Sequence, residues 1–161
     1  MNTALLRIAR AEDAAAIDAV GYEGALYHHN AEPSLLAPPS SQSHEWSESA
    51  LIQSPESVCF VAELEDRVVG YVHATVVTES RPMFIGHRFG RIEAISVLPQ
   101  FQSQGIGTVL LDAAEQWLVL QGCKVVRLSV FAANSRACSL YAERGYEPVV
   151  TFLQRRMDNG A

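Results

Sequence analysis

A glycine-rich turn directly before an apolar helical run is the feature that most limits what this chain can fold into. Gly105 and Gly107 stand one residue apart in the segment PQFQSQGIGTVLL, residues 99–111. Glycine is a poor helix former, so two glycines where a helix begins need a physical reason. After a strand, such a turn predicts an anion site, because the first N–H groups of a helix lack partners and the helix dipole adds positive charge.

The hydrophobic pattern on both sides of this turn predicts a mixed α/β sheet with a parallel crossover in its C-terminal half. Alternating or apolar runs predict strands over residues 5–8, 58–62, 68–77, 89–98 and 124–130, with last-strand material over 146–153. Helical spacing predicts helices over residues 11–29, 45–52, 106–121 and 135–144, with Asn134 or Ser135 as a cap of the last one. No composition shift marks a second domain, so a single domain over residues 1–161 is expected.

Composition narrows the classes of partner. The formal net charge of −6 makes nucleic acid or an anionic membrane surface an unsuitable main partner and favours a cationic substrate such as an amine. No secretory leader or membrane-spanning run is visible in the sequence. Cys59, Cys123 and Cys138 have no metal-ligand spacing, and as buried thiols they indicate a reducing, cytoplasmic location.

Three phosphate-binding patterns can be tested against the glycine turn. A P-loop needs Lys and Ser or Thr after its last glycine, but Thr108 and Val109 follow Gly107. A dinucleotide fingerprint needs a third small residue where Leu110 stands. The third pattern, Gln/Arg-x-x-Gly-x-Gly/Ala, is met by Gln102, Gly105 and Gly107.

This third pattern resembles the acetyl-CoA signature of the GNAT acetyltransferase superfamily. The segment NSRACSLYAERGYEPV, residues 134–149, is similar to the fourth helix of that family, Asn-x-x-Ala-x-x-Leu-Tyr-x-x-x-Gly-Tyr/Phe. A helix and one strand separate the two segments, as in the family. The resemblance covers residues 58–150, and one departure is visible: Ser103 and Gln104 stand where members often carry Gly or a basic residue.

The resemblance implies a GNAT fold with a mixed sheet of about six to seven strands and about four helices, and acetyl-CoA as co-substrate without a metal. The main chain of two residues on the third long strand would hold the acetyl carbonyl and the pantetheine, and the glycine turn would hold the pyrophosphate. The cofactor-binding residues that it implies are Ile95, Val97, Gln102, Gln104, Gly105, Ile106, Gly107, Thr108, Asn134 and Tyr141. Helix capping by Asn134 is the alternative for that residue, and both roles are compatible.

Two residues are candidates for proton transfer. By resemblance, Tyr141 would face the CoA sulfur and protonate the departing thiolate; packing of its ring in the core is the alternative. With the two-residue period of a strand, Glu93 would share a face with Ile95 and Val97. Apolar neighbours on that face would raise the pKa of its carboxyl group, which would suit a general base. The alternatives are that Glu93 lies at a solvent-exposed end of the strand or that it forms an ion pair with Arg91.

Aromatic, histidine and acidic residues near the Pro/Ser-rich stretch of residues 32–43 are candidates for an acceptor pocket, with solvated helix ends as the alternative. They are Tyr27, His28, His29, His44, Glu45 and Trp46, and His73 on the second hairpin strand could face the same cleft. The pair His28-His29 lacks metal spacing. Cys138 has no evident His–Asp companion, so direct transfer is expected rather than an acetyl-enzyme.

The sequence therefore predicts transfer of an acetyl group from acetyl-CoA to a primary amine in a ternary complex. The acceptor stays open among a polyamine or amino-sugar, a free amino acid, and a protein N-terminus or lysine. A non-catalytic acyl-CoA-binding module is the alternative from another class. Dimers are common in the family, which leaves a homodimer open.

Overall fold

The computed structural model describes residues 4–40, 54–79, 88–155 and 157. The chain divides into two compact units, Met1–Ser129 and Val130–Ala161. The first unit holds the sheet and two α-helices, and the second holds a short α-helix and the chain that follows it.

Four antiparallel strands of the first unit form a meander: β1 (Leu5–Ile8), β2 (Ser57–Leu64), β3 (Arg67–Thr78) and β4 (Arg88–Val97). A short fifth strand, β5 (Val126–Leu128), pairs in parallel with β4, so the spatial order follows the chain order. A parallel pair needs a long crossover, and helix α2 (Ile106–Leu120) supplies it.

Helices α1 (Ala14–Ala31) and α2 pack on opposite faces of the sheet. A Cβ at Gly21 of α1 would lie 3.1 Å from the hydroxyl of Tyr71, whereas a Cβ at Gly70 would lie 3.2 Å from Cδ1 of Leu110 in α2. Successive residues of a strand point to opposite faces, so Gly70 and Tyr71 assign one helix to each face. On the α1 face, the buried cluster comprises Ala9, Ile17, Val20, Cys59, Val61, Val68, Tyr71 and Leu98.

Helix α2 lies unusually close to the strands. A Cβ at Gly90 would lie 2.5 Å from Cδ1 of Leu118, so no larger residue fits there. The apolar stripe that the sequence predicts on this helix includes Val109, Leu110, Ala114 and Leu118. Leu110, Ala114 and Leu118 are fully buried and so is Leu111, which the predicted stripe does not include, whereas Val109 is 48% exposed. The helix ends as predicted at a left-handed Gly122 (φ +80°), whose N–H bonds Val119 O at 2.9 Å.

The second unit contains helix α3 (Ser135–Glu143). Asn134 caps it, because its side chain accepts a hydrogen bond from Ala137 N at 3.1 Å. Gly145, with φ +82°, follows the helix, and Tyr146 N donates to Tyr141 O at 2.9 Å. Both predicted ends of this helix are confirmed.

The sequence overestimates the number of strands. The described residues hold five strands and three α-helices, and the segment 146–153 forms no strand, because a strand requires a hydrogen-bonded ladder and none of its residues joins one. The helix predicted over 45–52 lies outside the described residues. The first helix is preceded by a 3-10 turn at Ala11–Asp13 and reaches Ala31, and β5 is shorter than predicted.

Cys59 and Cys123 are buried as predicted, whereas Cys138 is partly exposed. No helix within the described ranges combines the length and the apolar character that a membrane crossing needs.

Candidate active site

The glycine turn joins the end of β4 to the start of α2. After Val97 the chain makes a 3-10 turn at Pro99–Phe101, and Gly105 is the residue before the first helical residue, Ile106. Nε2 of Gln102 donates to Val97 O at 2.9 Å. The first residue of the predicted motif therefore fastens the turn to the strand that precedes it.

The two glycines of the motif differ in backbone conformation and in their surroundings. Gly105 has φ +81°, a left-handed conformation that favours glycine. Gly107 does not have a positive φ, and among the described residues a Cβ there would meet only Cγ2 of Val97, at 4.0 Å. Neither its backbone conformation nor packing against the described residues requires glycine at 107, so the space beside it is open to close approach by another group.

Ser103 and Gln104, the residues that depart from the family pattern, take part in the turn itself. Ser103 has φ +62°, a left-handed conformation that is costly for a residue with a Cβ. Nε2 of Gln104 donates to Gln100 O at 3.2 Å. The side-chain amide of Gln104 thus closes the turn.

Strand β4 contains a bulge at Glu93. His73 of β3 pairs with Ala94 and the next residue, Ala74, pairs with Ile92, so Glu93 is the extra residue of β4. On its other side, β4 pairs with β5 only over residues 90–92. Within the described ranges, the side of β4 along residues 93–97 has no strand partner; we call it the open edge of β4.

The bulge also decides which peptide groups face this open edge. Gly90 donates its N–H to Val125 O at 2.8 Å, toward β5, whereas Leu98 donates its N–H to Val69 O at 2.9 Å, toward β3. Two even-numbered residues thus face opposite sides, because the extra residue reverses the alternation. The N–H groups of Ile95 and Val97 therefore point to the open edge.

The structure corrects the predicted face of Glu93. Its carboxylate accepts a hydrogen bond from Oγ1 of Thr75 at 2.6 Å and lies 3.6 Å from Arg91, with 33% of the side chain exposed. Thr75 shares the face of His73, whereas Ile95 pairs with Val72 on the opposite face. The prediction of a shared face with Ile95 and Val97 is wrong, because the bulge shifts the alternation by one residue. The alternative pairing with Arg91 is confirmed.

His73 is buried on the same face as Glu93. Burial lowers the pKa of its imidazole, and the negative charge of Glu93 opposes this shift in part. His73, Thr75 and Glu93 thus form a polar cluster on the α1 face of the sheet beside the bulge. Thr75 is absent from the sequence-based candidates, although its period-two spacing from His73 on the same strand could have identified it.

The last turns of α1 carry three of the acceptor candidates. Tyr27 is exposed, and its ring contacts the ring of His28 edge-on, with the centroids 5.6 Å apart. Burial lowers the pKa of His28, so that the imidazole is neutral near pH 7. Nδ1 of His29 lies 2.8 Å from Leu36 O. The other candidates near the Pro/Ser-rich stretch, His44, Glu45 and Trp46, lie outside the described residues.

Tyr141 and Asn134 belong to the second unit, on α3 and at its cap. Tyr141 is buried, and its ring packs edge-on against the ring of Tyr146 with the centroids 5.6 Å apart. Burial raises the pKa of the Tyr141 hydroxyl, and the nearby Cys138 thiol adds to the shift. A hydroxyl with a raised pKa keeps its proton at neutral pH, as a general acid must. Among the residues that the structure describes, no three His, Cys, Asp or Glu side chains form a group that could hold a metal ion.

Two N-acetyltransferases are similar to this chain in amino-acid sequence. An N-alpha-acetyltransferase of Sulfurisphaera tokodaii is 32% identical over 100 residues, which cover 58% of this chain and 59% of that protein. An uncharacterized N-acetyltransferase of Archaeoglobus fulgidus is 31% identical over 94 residues, which cover 58% of this chain and 63% of that protein. The chain thus spans about three-fifths of the length of these two relatives.

Solved structures share the fold. A point mutant of the BH1408 protein from Bacillus halodurans superposes with a TM-score of 0.86 at 17% identity, over 95% of this chain and 99% of that one. The aminoglycoside N-acetyltransferase AAC(6′)-Iy in complex with CoA superposes with a TM-score of 0.74 at 16% identity, over 98% of this chain and 97% of that one.

The family model described as the Acetyltransferase (GNAT) family matches residues 25–146, a range that includes β2 to β5, α2 and α3. The predicted family is therefore confirmed: this chain belongs to the GNAT family of acetyltransferases.

Proposed function

We propose that this chain transfers the acetyl group of acetyl-CoA to a primary amine by direct attack in a ternary complex. The observation that carries the proposal is the open edge of β4, which runs into the glycine turn at the N-terminus of α2. One end of this surface offers the N–H groups of Ile95 and Val97, and the other offers the N–H groups of a helix start, which have no partner within the helix. A thioester joined to a pyrophosphate has acceptors at both ends.

Residues 102–108 would hold the pyrophosphate, since the first helical N–H groups and the space beside Gly107 are suited to an anion. An N–H group at Ile95 or Val97 would polarise the thioester carbonyl and stabilise the oxyanion that forms when the amine attacks its carbon. Such a donor is typically worth about 10²–10³-fold in rate.

Two proton transfers complete the reaction. The amine nitrogen loses a proton, which Glu93 would take directly or through water, and the new C–N bond forms. The C–S bond breaks, and Tyr141 would give its proton to the departing thiolate. The products are the N-acetylated amine and CoA thiol, so atoms and charges balance once both side chains exchange protons with water.

Two classes of amine are candidates for the acceptor. A relative named N-alpha-acetyltransferase supports an α-amino group, and structural neighbours named aminoglycoside N-acetyltransferases support an amino-sugar. We favour a small amine and keep a protein N-terminus or lysine as the second candidate. Tyr27, His28, His73 and Trp46 are the residues that we assign to the acceptor side.

The test is CoA-thiol release from acetyl-CoA across a panel of amines: a polyamine, an aminoglycoside, free amino acids, and peptides with a free α-amine or lysine. Calorimetry on the same sample measures acetyl-CoA binding. Release with one class of amine is the expected result and names the acceptor. Binding without release would favour the non-catalytic module, and absence of binding would overturn the proposal.

A further inference from the structure

Helix α1 contacts β3 through Gly21 and β4 through Gly24, one helical turn later. Val61, Tyr71 and Ser96 are register partners in a row across β2, β3 and β4. Ile17 belongs to the buried cluster that contains Val61, a Cβ at Gly21 would lie 3.1 Å from the Tyr71 hydroxyl, and a Cβ at Gly24 would lie 2.8 Å from Oγ of Ser96. A helical turn rises about 5.4 Å and strands are spaced about 4.8 Å apart, so the next turn of α1 on the same course would lie beyond β4.

His28 is the next residue of the sheet-facing stripe, four residues after Gly24. At this level of the sheet β4 has passed its last pair with β5, which joins Ile92 to Leu128. Continuing the course set by Gly21 and Gly24, α1 would bring His28 over the open edge of β4, on the side from which an acceptor would reach the N–H groups of Ile95 and Val97.

The contact of α1 with Ser96 holds the helix in place over β4. Oγ of Ser96 donates to Val20 O at 3.2 Å, and the missing Cβ of Gly24 would lie 2.8 Å from the same Oγ and 3.5 Å from Cβ of Ser96. Ser96 stands between Ile95 and Val97 in the sequence, so α1 is attached to the part of β4 that would hold the thioester. There is no spare space in the contact, since any side chain at 24 must displace either the helix or the hydroxyl.

We propose that Ser96 and Gly24 are positioning residues that set how far His28 reaches over the open edge of β4, where His28 contacts the acceptor amine. This proposal rests on the proposed acetyl transfer and adds the residues that position His28 for it. A displacement of several tenths of an ångström matters here, because a misplacement of about 1 Å can cost about 10²-fold in rate.

Thermal unfolding tests the contact itself. Gly24→Ala should lower the unfolding midpoint of the wild-type protein, because the new Cβ meets Oγ of Ser96. In a Ser96→Ala background the same change should be neutral or raise the midpoint, because the remaining Cβ lies at ordinary contact distance and alanine is the better helix former. Gly21→Ala is the matched control: it meets Tyr71 instead, so Ser96→Ala should not rescue it.

Kinetics test the positioning. With the panel amine that the wild type uses best, Gly24→Ala should raise KM for the amine about tenfold and leave the Kd for acetyl-CoA unchanged. Adding Ser96→Ala should return KM toward that of the Ser96→Ala variant. His28→Ala should also raise KM, and Gly24→Ala should add little in that background, since both changes remove the same contact.

Three results would overturn the proposal: an unchanged KM in Gly24→Ala, a loss that Ser96→Ala does not reverse, or a full Gly24→Ala effect in the absence of His28. A wild-type protein that acetylates no amine would instead overturn the proposed function. The unfolding measurements would still report whether Gly24 and Ser96 are coupled.

Discussion

Gly105 and Gly107 differ in what the described part of the chain requires of them. Gly105 needs its φ of +81°, whereas Gly107 has an ordinary backbone and an open side. Glycine in a helix costs up to about 1 kcal/mol relative to alanine, so a glycine without a conformational or packing reason indicates another use. The two positions therefore respond differently to substitution.

We expect Gly107→Leu to abolish acetyl-CoA binding while the protein stays folded, because the side chain would enter the space beside the helix start. Gly107→Ala is the matched control, since the family motif allows alanine there: it should keep binding and raise the free energy of unfolding by up to about 1 kcal/mol. Calorimetry and thermal unfolding measure both effects. Tight binding by Gly107→Leu would refute the pyrophosphate cradle.

Tyr141 is the second residue whose role can be separated from its packing. We expect Tyr141→Phe to keep acetyl-CoA binding and lower turnover at least about tenfold, because the ring is retained and the acidic proton is lost. Tyr146→Phe, which alters the ring packed against Tyr141, should leave turnover within about twofold of the wild type. Turnover is measured as CoA-thiol release, and an unchanged value for Tyr141→Phe would remove its hydroxyl from the chemistry.

At the scale of elements, β4 shows how one extra residue redirects a strand. The bulge at Glu93 sends the N–H groups of Ile95 and Val97 toward the open edge and turns the Glu93 side chain to the α1 face. Without it, the period of two would continue and these groups would face β3. The candidate site thus depends on a local irregularity between two otherwise regularly paired strands.

The turn between β2 and β3 is an element at which one substitution should raise the stability of the protein. Glu65 and Asp66 have φ of +51° and +59°, the two left-handed positions of a type I′ turn, in which glycine is preferred at the second. We expect Asp66→Gly to raise the free energy of unfolding by about 0.5–1 kcal/mol, because glycine has no steric cost there.

Denaturant titration measures this gain, and Asp66→Ala is its control. Alanine tolerates the left-handed region less well than aspartate, so it should destabilise the hairpin. A gain with alanine equal to that with glycine would contradict the turn geometry.

At the scale of the whole first unit, one ionic cluster ties β1, β2 and the start of α1 together. Arg7 of β1 donates to both oxygens of Asp13 at 2.7 and 2.9 Å and to Glu63 of β2 at 2.6 Å, and Asp13 also accepts from Arg10 N at 2.7 Å. These hydrogen bonds, chiefly the one from Arg7, hold the pKa of Asp13 below its ordinary value, and the same contact raises the pKa of Arg7.

A carboxylate with a lowered native pKa stabilises the fold above its unfolded pKa, and this contribution is lost as pH falls through the native pKa. We therefore expect the stability of the wild type to fall below about pH 4 in part through Asp13. Asp13→Asn should cost about 2 kcal/mol at pH 7 and make the acid dependence shallower.

Urea titrations between pH 2 and pH 7 measure both effects. Glu12→Gln is the control, since Glu12 is 73% exposed and its pair with Arg10 should contribute less than about 0.5 kcal/mol. An Asp13→Asn protein with the wild-type stability profile would contradict a structural role for the cluster.

The sequence predicts much of the fold because many of its signals are local. The glycine cap of α2, the Asn134 cap of α3 and the meander strands are confirmed, and the apolar stripe of α2 is confirmed except at Val109, which is exposed. The segment 146–153 has strand composition but forms no strand, because pairing depends on a distant partner rather than on composition.

The sequence by itself determined the family, the glycine turn and the order of the elements from β2 to α3, because helix starts, caps and turns depend on neighbouring residues. Only the tertiary structure decided which face Glu93 occupies, where β4 leaves β5, and how α1 rests on Ser96. These features arise from strand register and from contacts between residues as far apart as Val20 and Ser96. No local pattern encodes such distances, because they follow from packing the whole sheet against its helices.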